Sequence, residues 1–386
     1  MTISLAEANK LSNDILLKGI IETVIKDSPI LERLPFIQIV GNSFKYNREK
    51  TLSTVGWYAP VTGAWTQSEP AFEQCSASLG VLGGDADVDN FLKATRSNIQ
   101  DLEAAVIEQK AKALRHEFEN TFLNGDSGVD ANQPDGLYKT MKGTAWAAST
   151  AYTLGQFVVP TAGLENGFRY ECTTAGTSGS SAPTWPTTEG ATVADNTAVW
   201  TCRYGSHQGS GANGATLSLT SLDKLIDLVR GGKPDLLLMS RRSRRKIVTL
   251  ARAAGTNLLI GEGALGQVVE YFNGIPVAIS DWAKDNYTVG TSSDCSAIFA
   301  FQMGEGGVCG LTSPEMIQVE RLGSLETKDA TRTRVKWYVS LALFSVVKAA
   351  MLTGVRDYCL CQAGMSLRGT KCSGNPLACT FSPPSQ

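Results

Sequence analysis

The sequence predicts an α+β fold with sheets assembled from distant segments and a small all-β insertion in the middle. Three observations carry this. A strong helical stripe over residues 98–123 stands between regions rich in β-branched and aromatic residues. The apolar runs after residue 230 come in short blocks separated by turn signals, the pattern of buried strands. Residues 144–204 lose most of their charge and are dominated by Thr, Ala, Gly and aromatic residues, alternating as short strands do.

Taken in order, residues 3–26 read as a helix: Leu5, Ala8, Leu11, Ile15 and Leu16 recur at helical spacing, and Pro29 and Pro35 stop the stripe. Residues 36–95 show no sustained helical period. Their run GNSFKYNREKTLSTVGWYAPVTGAWTQSEPAFEQ predicts a long hairpin or extended loop with turns near Pro60, Gly63 and Pro70. The stripe Ile99, Leu102, Val106, Leu114, Phe118 and Phe122 then defines the clearest helix, about 39 Å long at ~1.5 Å per residue and closed by Gly125. The stretch GSHQGSGANGA after the β-rich segment reads as a flexible linker. Beyond it come a helix from Ser221, a buried strand in PDLLLMS, a helix from Arg244 to Ala254, and a hairpin pivoting on Asn273-Gly274. Strands are expected at 297–303, 316–321 and 334–347, and the last residues look like a tail.

Composition narrows the function. The 386 residues suffice for two or three domains at roughly 150 residues each. With 42% hydrophobic and 19% charged residues the chain can build cores, which excludes wholesale disorder. Its 35 basic and 37 acidic residues give a net charge of −2, without the basic surplus that gripping nucleic acid through phosphates requires. No basic leader followed by an apolar block opens the sequence. The longest apolar stretch, Tyr338 to Val347, is too short to span a bilayer, so a soluble, cytosolically made protein without a membrane partner is expected.

Motifs for catalysis or cofactors are weak. The spacings Gly209/Gly211/Gly214 and Gly261/Gly263/Gly266 match a dinucleotide fingerprint, but neither has the strand–helix context that lets pyrophosphate approach a helix N-terminus. His116 and His207, the only histidines, fall on the long helix and in the expected linker, which gives no nucleophilic triad. The basic run Arg241, Arg242, Arg244, Arg245 and Lys246 cannot share one helix face and reads as solvated or subunit-bridging. Cys75, Cys295 and Cys309 read as isolated buried residues. Cys172 and Cys202 are either a cross-strand pair or two buried reduced thiols. Cys359, Cys361, Cys372 and Cys379 offer four thiols, but their C-x-C start departs from zinc spacing, and disulfides or unused thiols compete with a metal. No catalytic residue, metal or cofactor is assigned.

The order of these parts resembles the tailed-bacteriophage major capsid protein family, the Hong Kong 97-type fold. The resemblance rests on the arm, the extended loop at about 43–80, the helix 98–123, FLNGDSG…PDGLY after it, then KPDLLLMSRRSRRKIVTLAR, VVEYFNGIPVAISD, AIFAFQMGEGGVCG and RTRVKWYVSLALFSVV. It covers about four-fifths of the chain. It implies an N-terminal arm (1–35), an extended loop and start of a peripheral domain (36–95), a spine helix and following turn (96–143), an axial domain with the rest of the peripheral domain (211–358) and a C-terminal tail (359–386). Residues 144–210, the inserted β module, depart from the simplest members. The resemblance further implies hexamers and pentamers of this chain in an icosahedral shell around double-stranded DNA. Portal, scaffold or decoration proteins are the implied partners, with assembly in a bacterial cytoplasm.

Two sets of residues follow from that reading. Leu11, Ile15, Val55, Trp57 and Trp65 have too little local core of their own, and neighbouring subunits can supply partners. Lys45, Arg48 and Lys50 cluster in a segment expected to cross a subunit boundary and to meet acidic residues there. Within the module, Trp146, Tyr152, Gly155, Val158, Tyr170 and Trp185 resemble the small chitin-binding modules of chitinases, although ECTTAG replaces their usual paired tryptophans. Those rings and Trp200 serve either as the module's core or as a platform for a glycan. The latter would make this a carbohydrate-binding structural protein.

Overall fold

The computed structural model describes residues 29–58, 63–96, 102–255, 259–262 and 268–356. The first strands are β1 (Phe36–Gln38), β2 (Ser43–Thr51), β3 (Ala71–Ser78), β4 (Gly80–Asp89), β5 (Ala151–Tyr152), β6 (Phe157–Val158) and β7 (Asn166–Thr174). Then follow β8 (Gly176–Thr177), β9 (Thr192–Asp195), β10 (Ala198–Gly209), β11 (Ala215–Thr216), β12 (Leu236–Met239), β13 (Leu259–Glu262) and β14 (Val268–Phe272). The last are β15 (Ile275–Ile279), β16 (Tyr287–Val289), β17 (Ser292–Phe301), β18 (Val308–Ser324), β19 (Ala330–Leu343) and β20 (Ala349–Arg356). The chain divides into two compact units: Met1–Lys142 with Phe301–Ala349, and Gly143–Ala300 with Ala350–Gln386.

In the first unit a four-stranded sheet, β1-β18-β19-β4, carries the helix Leu102–Asn124. The expected stripe does its work: Leu114, Phe118 and Phe122 are buried, and Phe118 lies 4.8 Å from the Trp337 ring on β19. Phe36 of β1 completes the cluster, 5.5 Å from Trp337. Its ring occupies the space over Gly310, where a Cβ would stand 2.4 Å from it, so only glycine fits there. The β18–β19 pair is longer than the sequence indicated. Here a strand is expected only at 316–321, whereas β18 runs Val308–Ser324 and carries Pro314, with a register shift between Thr312 and Ile317 that accommodates the proline. β19 ends at Leu343, four residues before the expected limit, and a short 3-10 turn at Val346–Lys348 leads into β20.

In the second unit a twelve-stranded sheet contains the path β13-β14-β15-β12-β17-β20-β10-β7-β6. Leu236–Met239 is fully buried, as its unbroken apolar run predicts for a strand covered on both faces. Asn273 and Gly274 have φ of 51° and 79°, the left-handed pair that a tight hairpin turn between β14 and β15 needs. The helix Leu219–Leu228 starts with a capping box on Ser218 and Ser221, and Ser240 caps the helix Arg241–Ala253. The expected linker is corrected at its start. His207, Gln208 and Gly209 extend β10 and pair in parallel with Met351, Leu352 and Thr353 of β20. Local polarity and glycine content suggested a loop, but His207 is buried and its Nε2 sits 2.8 Å from the Thr353 hydroxyl. A distant strand thus satisfies a segment that has no apolar pattern of its own. The 144–210 segment keeps a core cluster while sharing its sheet with the rest of the unit through β10.

Candidate assembly surfaces

β2 and β3 form an antiparallel ribbon, with Ser43 opposite Ser78 and Glu49 opposite Phe72. Its base is held firmly. Tyr46 and Phe44 pack edge-on against Phe344 at 4.9 and 5.9 Å. Arg48 Nε donates to Phe344 O at 2.8 Å, and its Nη2 donates to Tyr46 Oη at 3.1 Å and to Leu343 O. Beyond the ribbon the two limbs 52–58 and 63–70 have no regular strand pairing. They are tied by Thr54 N to Ser68 Oγ at 2.5 Å, by Thr66 N to Tyr58 Oη at 3.1 Å, and by the Tyr58–Trp65 ring pair at 4.6 Å.

The tip exposes apolar surface to a degree unusual for a soluble protein. Trp57 is 105% exposed, Val55 89%, Trp65 85% and Leu52 76%. Lys45 is exposed on the ribbon and Lys50 is half-buried. Arg48 is the exception among the three expected boundary cations, because its guanidinium is committed to carbonyls of its own chain. Leu11 and Ile15 lie outside the described residues, as do the four C-terminal cysteines.

Charge in the first unit is paired across strands. Arg332 faces Asp87 and Arg334 faces Asp85 in the β19–β4 register, each as a two-pronged contact at 2.6–2.7 and 2.6–3.0 Å. The arginine bonds hold both carboxyls below the usual aspartate range. Glu103, buried at the start of the long helix, takes Arg321 of β18 and Lys93, which together lower its pKa. The Glu103–Arg321 pair links helix to sheet, and no sequence pattern revealed it or the two Asp–Arg pairs, because those partners lie more than two hundred residues apart.

In the second unit the five rings expected in the 144–210 segment are used internally. Trp146, Tyr152, Tyr170 and Trp200 are buried, and Trp185 is half-buried with its centroid 4.2 Å from Tyr170. Asp195 organises them: Trp146 Nε1 (2.8 Å) and Trp200 Nε1 (3.0 Å) donate to its Oδ2, and Gly179 N (2.7 Å) to its Oδ1. Of the two readings of these rings, this arrangement is the core.

Cys172 stands opposite Trp200 and Cys202 opposite Tyr170, so the thiols sit diagonally on one face and are free. Burial pushes the Cys202 thiol up to about 11, and Cys309 to about 11, which keeps both protonated and unreactive. Cys295 is buried, and Cys75 on β3 is half-buried. Three of the five cations of the basic helix pair within their own chain, while Arg245 is exposed. Arg241 bonds Asp281 at 2.6 and 3.1 Å, Arg242 bonds Ser296 and the Asp294 carbonyl, and Arg244 bonds Glu270.

A ribbon and an exposed aromatic tip, a long helix on a four-stranded sheet, and a second unit around a large mixed sheet define a subunit with the fold of shell-forming proteins. That fold recurs in solved structures. The holo-SrpI encapsulin complex of Synechococcus elongatus PCC 7942 aligns at a TM-score of 0.57 and 14% identity, covering 93% of this chain and 100% of that one. The capsid of an empty GTA particle aligns at 0.55 and 14%, over 92% and 98%. Mycobacterium phage Adephagia aligns at 0.53 and 13%, over 92% and 99%. No curated protein matches the chain in sequence. The phage capsid family model matches residues 11–305, and the chain belongs to that family, the shell-forming major capsid proteins of bacteriophages.

Proposed function

We propose that this capsid subunit closes its shell by docking the tip at 52–70 onto a neighbouring copy, within hexamers and pentamers that enclose packaged double-stranded DNA. The exposure of Leu52, Val55, Trp57 and Trp65 on a ribbon anchored at its base carries this reading. A two-stranded ribbon is marginal alone, and such a patch gains most by covering another subunit. Repetition then multiplies each modest contact around a closed particle. The net charge of −2 suits an inner wall that does not trap the genome. Lys45 and Lys50 meet acidic residues of the neighbour, whereas Arg48 braces the ribbon. Residues 144–210 form a module displayed outward. Assembly takes place in the host cytoplasm, and the portal and scaffold or decoration proteins join there.

Electron microscopy and sedimentation of the purified chain test the reading, with Lys45→Glu and Lys50→Glu as probes. Shells or rings of five and six that are lost on charge reversal support it. Undiminished particle yield from the double variant would remove the cationic contacts from the account.

A further inference from the structure

Among the described residues the outer half of β18 is a free sheet edge. β1 covers β18 only at Gly310, Leu311 and Thr312, and among the described residues no strand pairs the opposite edge of 313–324. Both faces are open there: Met316 is 43% exposed, Ile317 51%, Val319 55% and Leu322 50%. Proteins ordinarily blunt such an edge, because its unpaired N–H and C=O groups template further pairing. An edge that is uncovered among the described residues, bears four exposed apolar side chains together with both signs of charge, and belongs to a subunit that assembles with its own copies is therefore a joining surface.

We propose that residues 314–322 pair antiparallel with the same residues of a second copy, about a twofold axis at Gln318. The inference rests on the shell-subunit reading. The register follows from strand geometry. Only alternate residues turn their backbone groups to the free edge, so a symmetric pair must place residues of the same parity opposite each other, and the axis falls on a residue. An axis at Glu320 opposes two carboxylates. An axis at Ile317 sets Glu315 against Val319, and one at Val319 sets Ile317 against Arg321. At Gln318 Ile317 meets Val319 of the second copy twice and Glu315 meets Arg321 twice, while Met316 meets the stem of Glu320, whose carboxylate is held by Lys336. Arg321 already bonds Glu103, yet 64% of its side chain remains exposed and its fork can take a second carboxylate. Glu315 has no ion partner among the described residues. Pro314, which has no N–H to give, ends the pairing where it would face Leu322.

Gln318→Cys in assembled particles tests this, with Met316→Cys and the unaltered chain as controls. Facing residues of an antiparallel pair lie within disulfide range, whereas two Met316 positions would stand roughly 13 Å apart. Mild oxidation is expected to convert most Gln318→Cys subunits to reducible dimers, at least about tenfold more than Met316→Cys, with the peptide spanning position 318 linked to itself. Particles of normal yield and no such dimer overturn the edge pairing while leaving the shell reading intact. In a chain carrying both Ile15→Cys and Gln318→Cys, a 15–318 disulfide in place of the 318–318 one shows that the arm covers the edge and also overturns it. Failure of the unaltered chain to form shells under any assembly condition defeats the shell reading and this inference with it.

Discussion

Trp57→Ala isolates the docking of the loop tip from the folding of the subunit. The ring is wholly exposed and makes no ring contact among the described residues, so truncating it removes nothing that holds the isolated subunit together. About 200 Å² of side-chain surface is available for burial. At ~25 cal/mol per Å² complete burial corresponds to about 5 kcal/mol. Aromatic anchors at interface centres lose about 2–4 kcal/mol on truncation, because burial is incomplete and ordering opposes it. A loss of about 3 kcal/mol per subunit raises the protein concentration needed for assembly by roughly a hundredfold. Light scattering against subunit concentration measures that threshold, with circular dichroism and melting of the unassembled subunit as controls. A threshold within about threefold of the unaltered chain, with the fold intact, would refute the reasoning. Trp65→Ala is a poorer probe, since that ring also stacks on Tyr58.

Two further outcomes follow from the pairs described above. Asp195→Ala leaves two indole N–H groups and the Gly179 amide buried without their acceptor. It should destabilise the second unit by about 3–5 kcal/mol in chemical denaturation followed by tryptophan fluorescence, and a change below about 0.5 kcal/mol would show that the rings do not depend on it. Asp85 and Asp87 have folded-state pKa values lowered by Arg334 and Arg332. Their contribution is complete above the ordinary value of 3.8 and is lost as pH falls through the lower folded values, so acid unfolding of the first unit should begin below about pH 4. In Arg334→Met that acid-dependent part should shrink; an identical acid profile for the variant would argue against the pair.

The secondary elements were legible wherever one face is apolar at a fixed period. The stripe of Leu114, Phe118 and Phe122, the all-buried run Leu236–Met239 and the Asn273-Gly274 turn each specify their conformation locally, because periodicity and backbone preference act over a few residues. The exposed tryptophans of the loop were legible because the segment around them offers too little local core to cover them. Their order along the chain determined the class of fold and, through its resemblance, the role of a shell subunit.

Tertiary structure decided what depends on distant partners. His207 became a buried strand residue only because β20 lies beside it. Arg48 was assigned to the ribbon's base by carbonyls almost three hundred residues away. The rings of 144–210 were consigned to a core by Asp195, whose side chain gathers both indoles. The edge of β18 beyond Thr312, unpaired among the described residues, was hidden because the lack of a neighbouring strand leaves no mark in sequence. Local patterns fix which conformation a segment prefers; pairing, ion partners and exposed edges are set by which segments meet, and that is a property of the whole packed chain.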